Sequence, residues 1–251
     1  MRKSFSAMIV GSKSTRFHER VKMKIPLKVS YNENIGNVWA EKTETEEITI
    51  CGGGFVISRP LEPNRLINLK LPMPRRFRLY ALENEEYEVW GIVRYIKLIE
   101  PVSYSRIFAR VGTALIGAYP PRSYLQDPTT KYDLKPILQR ESLWEYRELP
   151  RFGGKYYRSS EDRQNVEMDV SLELLDENGK IVETIETRTQ NVSESGMAVL
   201  IHKNLEISRY VLIRSKNKMN TLLAVVRGWR KLDGLDAVRV HLEFISGKWN
   251  V

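Results

Sequence analysis

The chain repeats itself weakly, and this repeat restricts its fold more than any other feature. Arg20-Val21-Lys22-Met23-Lys24-Ile25-Pro26-Leu27 matches Arg163-Gln164-Asn165-Val166-Glu167-Met168-Asp169-Val170, 143 residues further on. Gly54-Phe55-Val56-Ile57 matches Gly196-Met197-Ala198-Val199 at a spacing of 142. Ile92-Val93-Arg94 pairs with Val225-Val226-Arg227, and Arg110-Val111 with Arg239-Val240, at spacings of 133 and 129. The shrinking interval places extra residues in the first copy, between Pro72 and Glu86. Two units of ordinary domain size account for 251 residues better than one large barrel does.

Both copies are written in strand text. Ile25 to Tyr31, Gly53 to Ile57, Leu66 to Leu71 and Tyr87 to Ile96 are short, rich in β-branched and aromatic residues, and bounded by Gly, Pro or Asn. In the second copy Val166 to Leu175 and Lys180 to Arg188 alternate on either side of Asp176-Glu177-Asn178-Gly179, which predicts a hairpin with an Asn-Gly turn. Further strands are expected at Met197 to Ile201, Tyr210 to Arg214, Leu222 to Trp229 and Ala237 to Ile245. Glu41 to Glu47 is an acidic stretch with four glutamates and one lysine, and its Glu46-Glu47 pair reads as part of a charged strand or turn. Strands and turns at this spacing specify a sandwich or barrel, not βαβ units.

The text changes between the copies. Tyr119-Pro120-Pro121 and Asp127-Pro128 interrupt it, and Asp133 is placed to cap a helix running to about Arg147, with Leu134, Ile137, Leu138 and Leu143 as its apolar face. Pro150 and Gly153-Gly154 then end that helix. The chain divides into a first copy at 1–117, a linker with one helix at 118–155, and a second copy at 156–251.

Forty Lys and Arg against thirty-one Asp and Glu leave a net charge of +9, which favours phosphate-bearing partners. The excess is concentrated between Met1 and Lys28. At 42% hydrophobic and 28% charged, the chain can bury a core. No apolar run approaches the roughly 20 residues of a membrane-spanning helix. Met1-Arg2-Lys3 opens like a signal peptide, but Ala7 to Val10 is too short for its apolar region. One cysteine, Cys51, excludes an internal disulfide and agrees with a reducing compartment. The expectation is a soluble cytoplasmic protein.

Two constellations carry chemistry. Arg16 and Arg20 precede the first strand of the first copy, and Arg158 and Arg163 precede that of the second. Asn191-Val192-Ser193-Glu194-Ser195-Gly196 lies at a turn between strands of the second copy. Guanidinium groups grip phosphate and the guanine O6/N7 edge, Asn and Ser supply short donors and acceptors, and Gly lets a ligand approach the backbone. Together they suit an anionic purine nucleotide.

An arginine pair, a strand, then Asn-x-Ser-x-x-Gly opening a later strand resembles the PilZ domain, a β-barrel receptor for cyclic di-GMP. Ala224-Val225-Val226-Arg227 and Arg239 to Phe244 are similar to the family's closing strands. The resemblance covers both copies and leaves the linker aside. It implies a mainly β protein: two six-stranded antiparallel barrels joined by a linker with a helix. It also implies binding and signalling, with cyclic di-GMP as ligand, no cofactor and no metal. The binding set would be Arg158, Arg163, Asn191, Ser193 and Gly196. The first copy keeps the arginine spacing but sets Thr49 and Cys51 where Asn or Asp and Ser are expected, with Gly54 retained. Arg16, Arg20, Thr49 and Gly54 are therefore a second site or a partner surface, and the working site belongs to the second copy.

Other chemistry finds little footing. Gly52-Gly53-Gly54 lacks the Gly-Lys-Ser/Thr of a phosphate loop, the three histidines are scattered, and no Gly-x-Ser-x-Gly elbow occurs. The expected protein is a non-enzymatic effector whose barrels rearrange on ligand binding and signal to a downstream protein in motility, biofilm formation or a related output. Two rival readings are a basic barrel binding RNA or DNA directly and a ligand-free adaptor that binds protein only.

Overall fold

The computed structural model describes residues 20–99, 105–136, 142–152, 155–156, 163–202, 208–216, 220–232 and 237–249. Strands β1 (Val21–Lys22), β2 (Pro26–Asn34), β3 (Asn37–Thr49), β4 (Gly52–Ile57), β5 (Leu66–Leu71), β6 (Tyr87–Leu98) and β7 (Ala109–Gly117) form the first unit. The connecting region holds helix α1 (Arg122–Gln126) and the short strands β8 (Tyr132–Leu134), β9 (Tyr146–Glu148), β10 (Arg151–Phe152) and β11 (Lys155–Tyr156). The second unit comprises β12 (Asp169–Leu175), β13 (Ile181–Ser193), β14 (Gly196–Ile201), β15 (Tyr210–Ser215), β16 (Thr221–Lys231) and β17 (Val238–Phe244).

Each unit is a six-stranded antiparallel barrel, as the resemblance implies. The first runs β3-β2-β5-β6-β7-β4 and closes where β4 pairs back onto β3; β1 is added to β3 outside the ring. The second runs β12-β13-β14-β17-β16-β15 and closes from β15 to β12. Period-two alternation fills both interiors: Leu27, Val29 and Tyr31 point inward from β2, as do Val170, Leu172 and Leu174 from β12.

The repeat extends to single hydroxyls. Thr45 Oγ1 donates to Met23 O at 2.6 Å and accepts from Ile25 N at 3.0 Å; Thr189 Oγ1 donates to Val166 O at 2.6 Å and accepts from Met168 N at 3.0 Å. In both barrels this threonine straps the incoming segment to the second long strand. The expected insertion is present: 15 residues separate β5 from β6, against five between β15 and β16. Arg78 organises it by donating to the carbonyls of Met73, Ala81, Asn84 and Glu85.

The expected helix from Asp133 to Arg147 is corrected. The described ends of that run are β8 and β9, paired antiparallel with Asp133 opposite Arg147 and Leu134 opposite Tyr146. Leu134 and Tyr146 pack on a small core of Leu66, Ile92, Tyr124 and Tyr132, and burial on the first barrel overrides the helical spacing of the leucines. The linker's helix is instead α1, which follows Pro120-Pro121 and sets Tyr124 edge-on against Trp90 at 5.0 Å.

The barrels are joined by a continuous core. Leu175, Tyr210, Leu212, Leu223, Val225 and Ile245 of the second lie in one apolar cluster with the interior of the first. The Asn178-Gly179 turn reaches across: Ile107 N donates to Gly179 O at 2.9 Å, and Arg59 Nη2 to Asn178 Oδ1 at 2.7 Å. Gly179 has φ 72°, and a Cβ there would lie 2.0 Å from Ser58 O, so both conformation and space require glycine. Beside this core sits Glu62, 1% exposed, with Arg209 Nη2 at 2.5 Å, Arg227 Nη2 at 2.8 Å, Lys131 Nζ at 3.4 Å and Arg65 Nη1 at 3.5 Å. Among the described residues no helix is long and apolar enough to cross a membrane.

Candidate functional site

The second barrel brings Arg163 and the Asn-Ser-Gly turn together. Gln164 is bridged to Val192 by two backbone hydrogen bonds of 2.9 and 3.0 Å, fixing the segment just after the arginine. β13 shifts register between Thr189 and Asn191, so Asn191 shares the outer face of the barrel with Ser193. Arg163 Nη1 then lies 3.3 Å from Asn191 Oδ1. Ser193 pairs with Gly196 across the two-residue turn, and its Oγ donates to Gly196 O at 3.3 Å. Asn191 and Ser193 are buried while Arg163 is exposed, so fixed short groups lie beneath an accessible cation. Gly196 has no room for a side chain, since a Cβ would meet Leu242 O at 2.3 Å. From the far side, Trp249 N donates to Glu194 O at 3.0 Å and its ring stacks on Phe244.

Arg158 lies outside the described residues, so the structure brings Arg163, Asn191, Ser193 and Gly196 together and is silent on the fifth member. Alongside runs a cleft lined by Glu167, Arg188, Gln190, Leu200 and His202.

In the first barrel the motif register is corrected. Thr49 pairs with Gly52 across the β3–β4 turn, and its Oγ1 donates to Gly52 O at 3.3 Å, which duplicates Ser193 and Gly196. The equivalent run is therefore Glu47-x-Thr49-x-x-Gly52. Thr49 takes the serine position, Glu47 the asparagine position, and Gly52, not Gly54, the glycine position. Cys51 falls inside the turn, buried, with its N–H donating to Thr49 Oγ1 at 3.2 Å. Arg20, the counterpart of Arg163, is ion-paired with Glu47, and Arg110 grips the neighbouring Glu46 through two bonds of 2.5 and 3.0 Å. Carboxylates thus occupy the place where the second copy presents an amide, and they already hold the nearby arginines. Arg16 lies outside the described residues.

The sequence reading missed the neighbours across the strands. Glu243 on β17 stands directly opposite Gly196, and its Oε2 accepts from Arg227 Nε at 2.6 Å. Arg227 in turn reaches Glu62 in the interface. Burial works against ionising Glu62, but Arg227, Lys131, Arg65 and Arg209 outweigh it and hold the carboxyl well below its usual range. Only strand register places Glu243 beside Gly196, 47 residues earlier in the chain.

No protein-family model matches the chain, and no curated protein does. Among solved structures it is similar to the Bacillus subtilis inhibitor of motility MotI/DgrA, at 13% identity over 89% of this chain and 88% of that one, with a TM-score of 0.27. It is also similar to Borreliella burgdorferi PlzA in complex with c-di-GMP, at 6% identity over 93% and 89% of the two chains, TM-score 0.27. Escherichia coli YcgR in complex with c-di-GMP gives 10% identity over 88% and 75%, TM-score 0.22.

Proposed function

We propose that the chain is a cyclic di-GMP receptor that binds its ligand on the outer face of the second barrel, between the Arg158–Arg163 segment and the turn of Asn191, Ser193 and Gly196. The observation that carries this reading is Arg163 held over Asn191 on a glycine-floored turn, with Glu47 closing the equivalent place in the first barrel. A guanidinium can take a phosphate or the guanine O6/N7 edge in a two-point grip, and the buried amide and hydroxyl beneath it supply fixed polar groups. The role is recognition, without catalysis. Ligand binding changes how the two barrels meet, and a downstream protein reads that change.

The test is calorimetric titration of the full chain at physiological salt with cyclic di-GMP, GTP and cyclic di-AMP. Saturable binding of cyclic di-GMP alone is expected. No saturable heat with it, or equal affinity for cyclic di-AMP, overturns the reading.

Direct binding of RNA or DNA is a second reading, favoured by one observation. Arg230 and Arg239 stand directly opposite each other on β16 and β17, an arrangement that repels without an anion, and Trp229 beside them is 65% exposed. That reading predicts nucleic-acid affinity that falls steeply with salt.

A further inference from the structure

Glu243 is an acid at the edge of a site for an anion. It faces Gly196 across the β14–β17 pair, its side chain is 39% exposed, and Phe244 N donates to Ser195 O at 2.8 Å, which locks this part of β17 to the turn. A carboxylate in that place repels phosphate, so it is favourable there only toward hydrogen-bond donors. Its orientation is fixed: Arg227 Nε holds Oε2 at 2.6 Å, while Arg227 Nη2 lies 2.8 Å from the buried Glu62. One guanidinium therefore anchors two carboxylates, one in the interface and one beside the site. Arg227 holds Oε2, and the charge of Lys131 lies close enough to interact with the same carboxylate.

Guanine carries the complementary pattern. Its N1–H and exocyclic 2-amino group lie side by side on one edge, whereas adenine offers an acceptor and a C–H there. We infer that Glu243 is the specificity residue that accepts the N1–H and 2-amino edge of guanine, with Arg227 as the residue that positions it. This rests on the cyclic di-GMP reading and names the group that separates guanine from adenine in that site. Arg163 and Asn191, on the other side of Gly196, are left for phosphate and the opposite edge of the base. A ligand donor left unpaired in the bound state is costly, which is how one contact of this kind discriminates strongly.

The experiment pairs two ligands with two proteins. Wild-type chain and Glu243→Gln are titrated with cyclic di-GMP and with cyclic di-inosine monophosphate, which lacks only the 2-amino groups, and both proteins are melted to check folding. Wild type is expected to bind the inosine ligand on the order of tenfold more weakly, and the variant to bind both ligands within about twofold of each other. A variant that weakens both ligands equally while keeping the tenfold gap overturns the inference, because Glu243 would then act only through Arg227. Equal affinities in the wild type overturn it without any variant. Wild type that binds no cyclic di-GMP overturns the receptor reading as well, and that outcome is distinct from the other two.

Discussion

Glu62 Oε2 lies 2.8 Å from Arg227 Nη2, an ion pair that crosses from the first barrel to the second. With Lys131, Arg65 and Arg209 also around it, this buried carboxylate gathers four cations at the interface. Removing its charge leaves buried cations uncompensated, which costs about 3–5 kcal/mol. Glu62→Gln is therefore expected to lower the Tm of the whole chain by many degrees, and a variant melting like wild type would show that the cluster is not needed.

The same residue sets a pH dependence. Burial opposes ionisation of Glu62, the surrounding cations outweigh it, and the folded carboxyl titrates below its ordinary value of 4.5. A depressed folded pKa gives stability that is fully present above the unfolded value and is lost as pH falls through the folded one. Asp127, held down to about 2 by Thr129 and Arg151 against the opposing effect of burial, acts in the same direction. Melting temperatures should be flat from about pH 7 to 5 and fall below about pH 4.5. Glu62→Gln should show a shallower acid limb than wild type; parallel limbs would remove Glu62 from the account.

Arg163 and Arg20 occupy equivalent places but differ in partner, an amide in one case and a carboxylate in the other. Arg163→Ala deletes a charge-assisted contact, typically about 1.5–3 kcal/mol, so cyclic di-GMP affinity should fall more than tenfold. Arg20→Ala should leave affinity within about twofold, since that arginine is already taken by Glu47. The opposite pattern in parallel titrations would move the site to the first barrel.

Two glycines near the site separate packing from access. A Cβ at Gly196 would sit 2.3 Å from Leu242 O, whereas at Gly228 nothing lies within 4 Å. Gly196→Ala must displace β17 or the turn and should cost about 1–3 kcal/mol along with ligand affinity. Gly228→Ala should melt like wild type. If both variants melt alike, the close approach of β14 and β17 is not a constraint.

The strands were legible in the sequence because each barrel buries one face of every strand, so alternation survives in the text. Leu66–Leu71 is found where the pattern places it, and Gly52–Ile57 differs by one residue. β3 reads poorly because its middle is mostly Glu, Lys and Thr, with few apolar side chains to mark the inner face. The second-barrel turn was legible because Asn191, Ser193 and Gly196 fall within six residues. In the first barrel, three consecutive glycines offer three registers, and only pairing of Thr49 with Gly52 selects one. Glu62, Arg65, Lys131, Arg209 and Arg227 are ordinary surface charges in the sequence, because burial by a second domain has no local periodicity. The helix expected at Asp133 failed for a related reason: the first barrel supplies an apolar surface that rewards Tyr132 and Leu134 as strand residues.

Occupancy of the site is expected to reach the interface through the strands that lie between them. Along one cross-strand row, Ser193, Gly196, Glu243, Val225 and Tyr210 lead from the candidate site into the shared core. Arg227, held by Glu243 at one end, reaches Glu62 at the other. A ligand can shift the relation between barrels only through contacts that differ between two arrangements, and a guanine donating to Glu243 alters its hold on Arg227. The continuous core opposes wide separation, so the expected change is a small repacking rather than an opening. Hydrogen exchange with and without cyclic di-GMP should show protection at Arg163 to Met168 and at Asn191 to Gly196. It should also show altered exchange at Tyr210 to Ile213 and Leu222 to Val226, on the interface side. Small-angle scattering should change slightly, with both barrels still joined. In Glu243→Gln the site should still be protected on saturation, while the interface response shrinks. Protection confined to the site in wild type, with the interface strands unmoved, would leave a receptor that binds without signalling between its barrels.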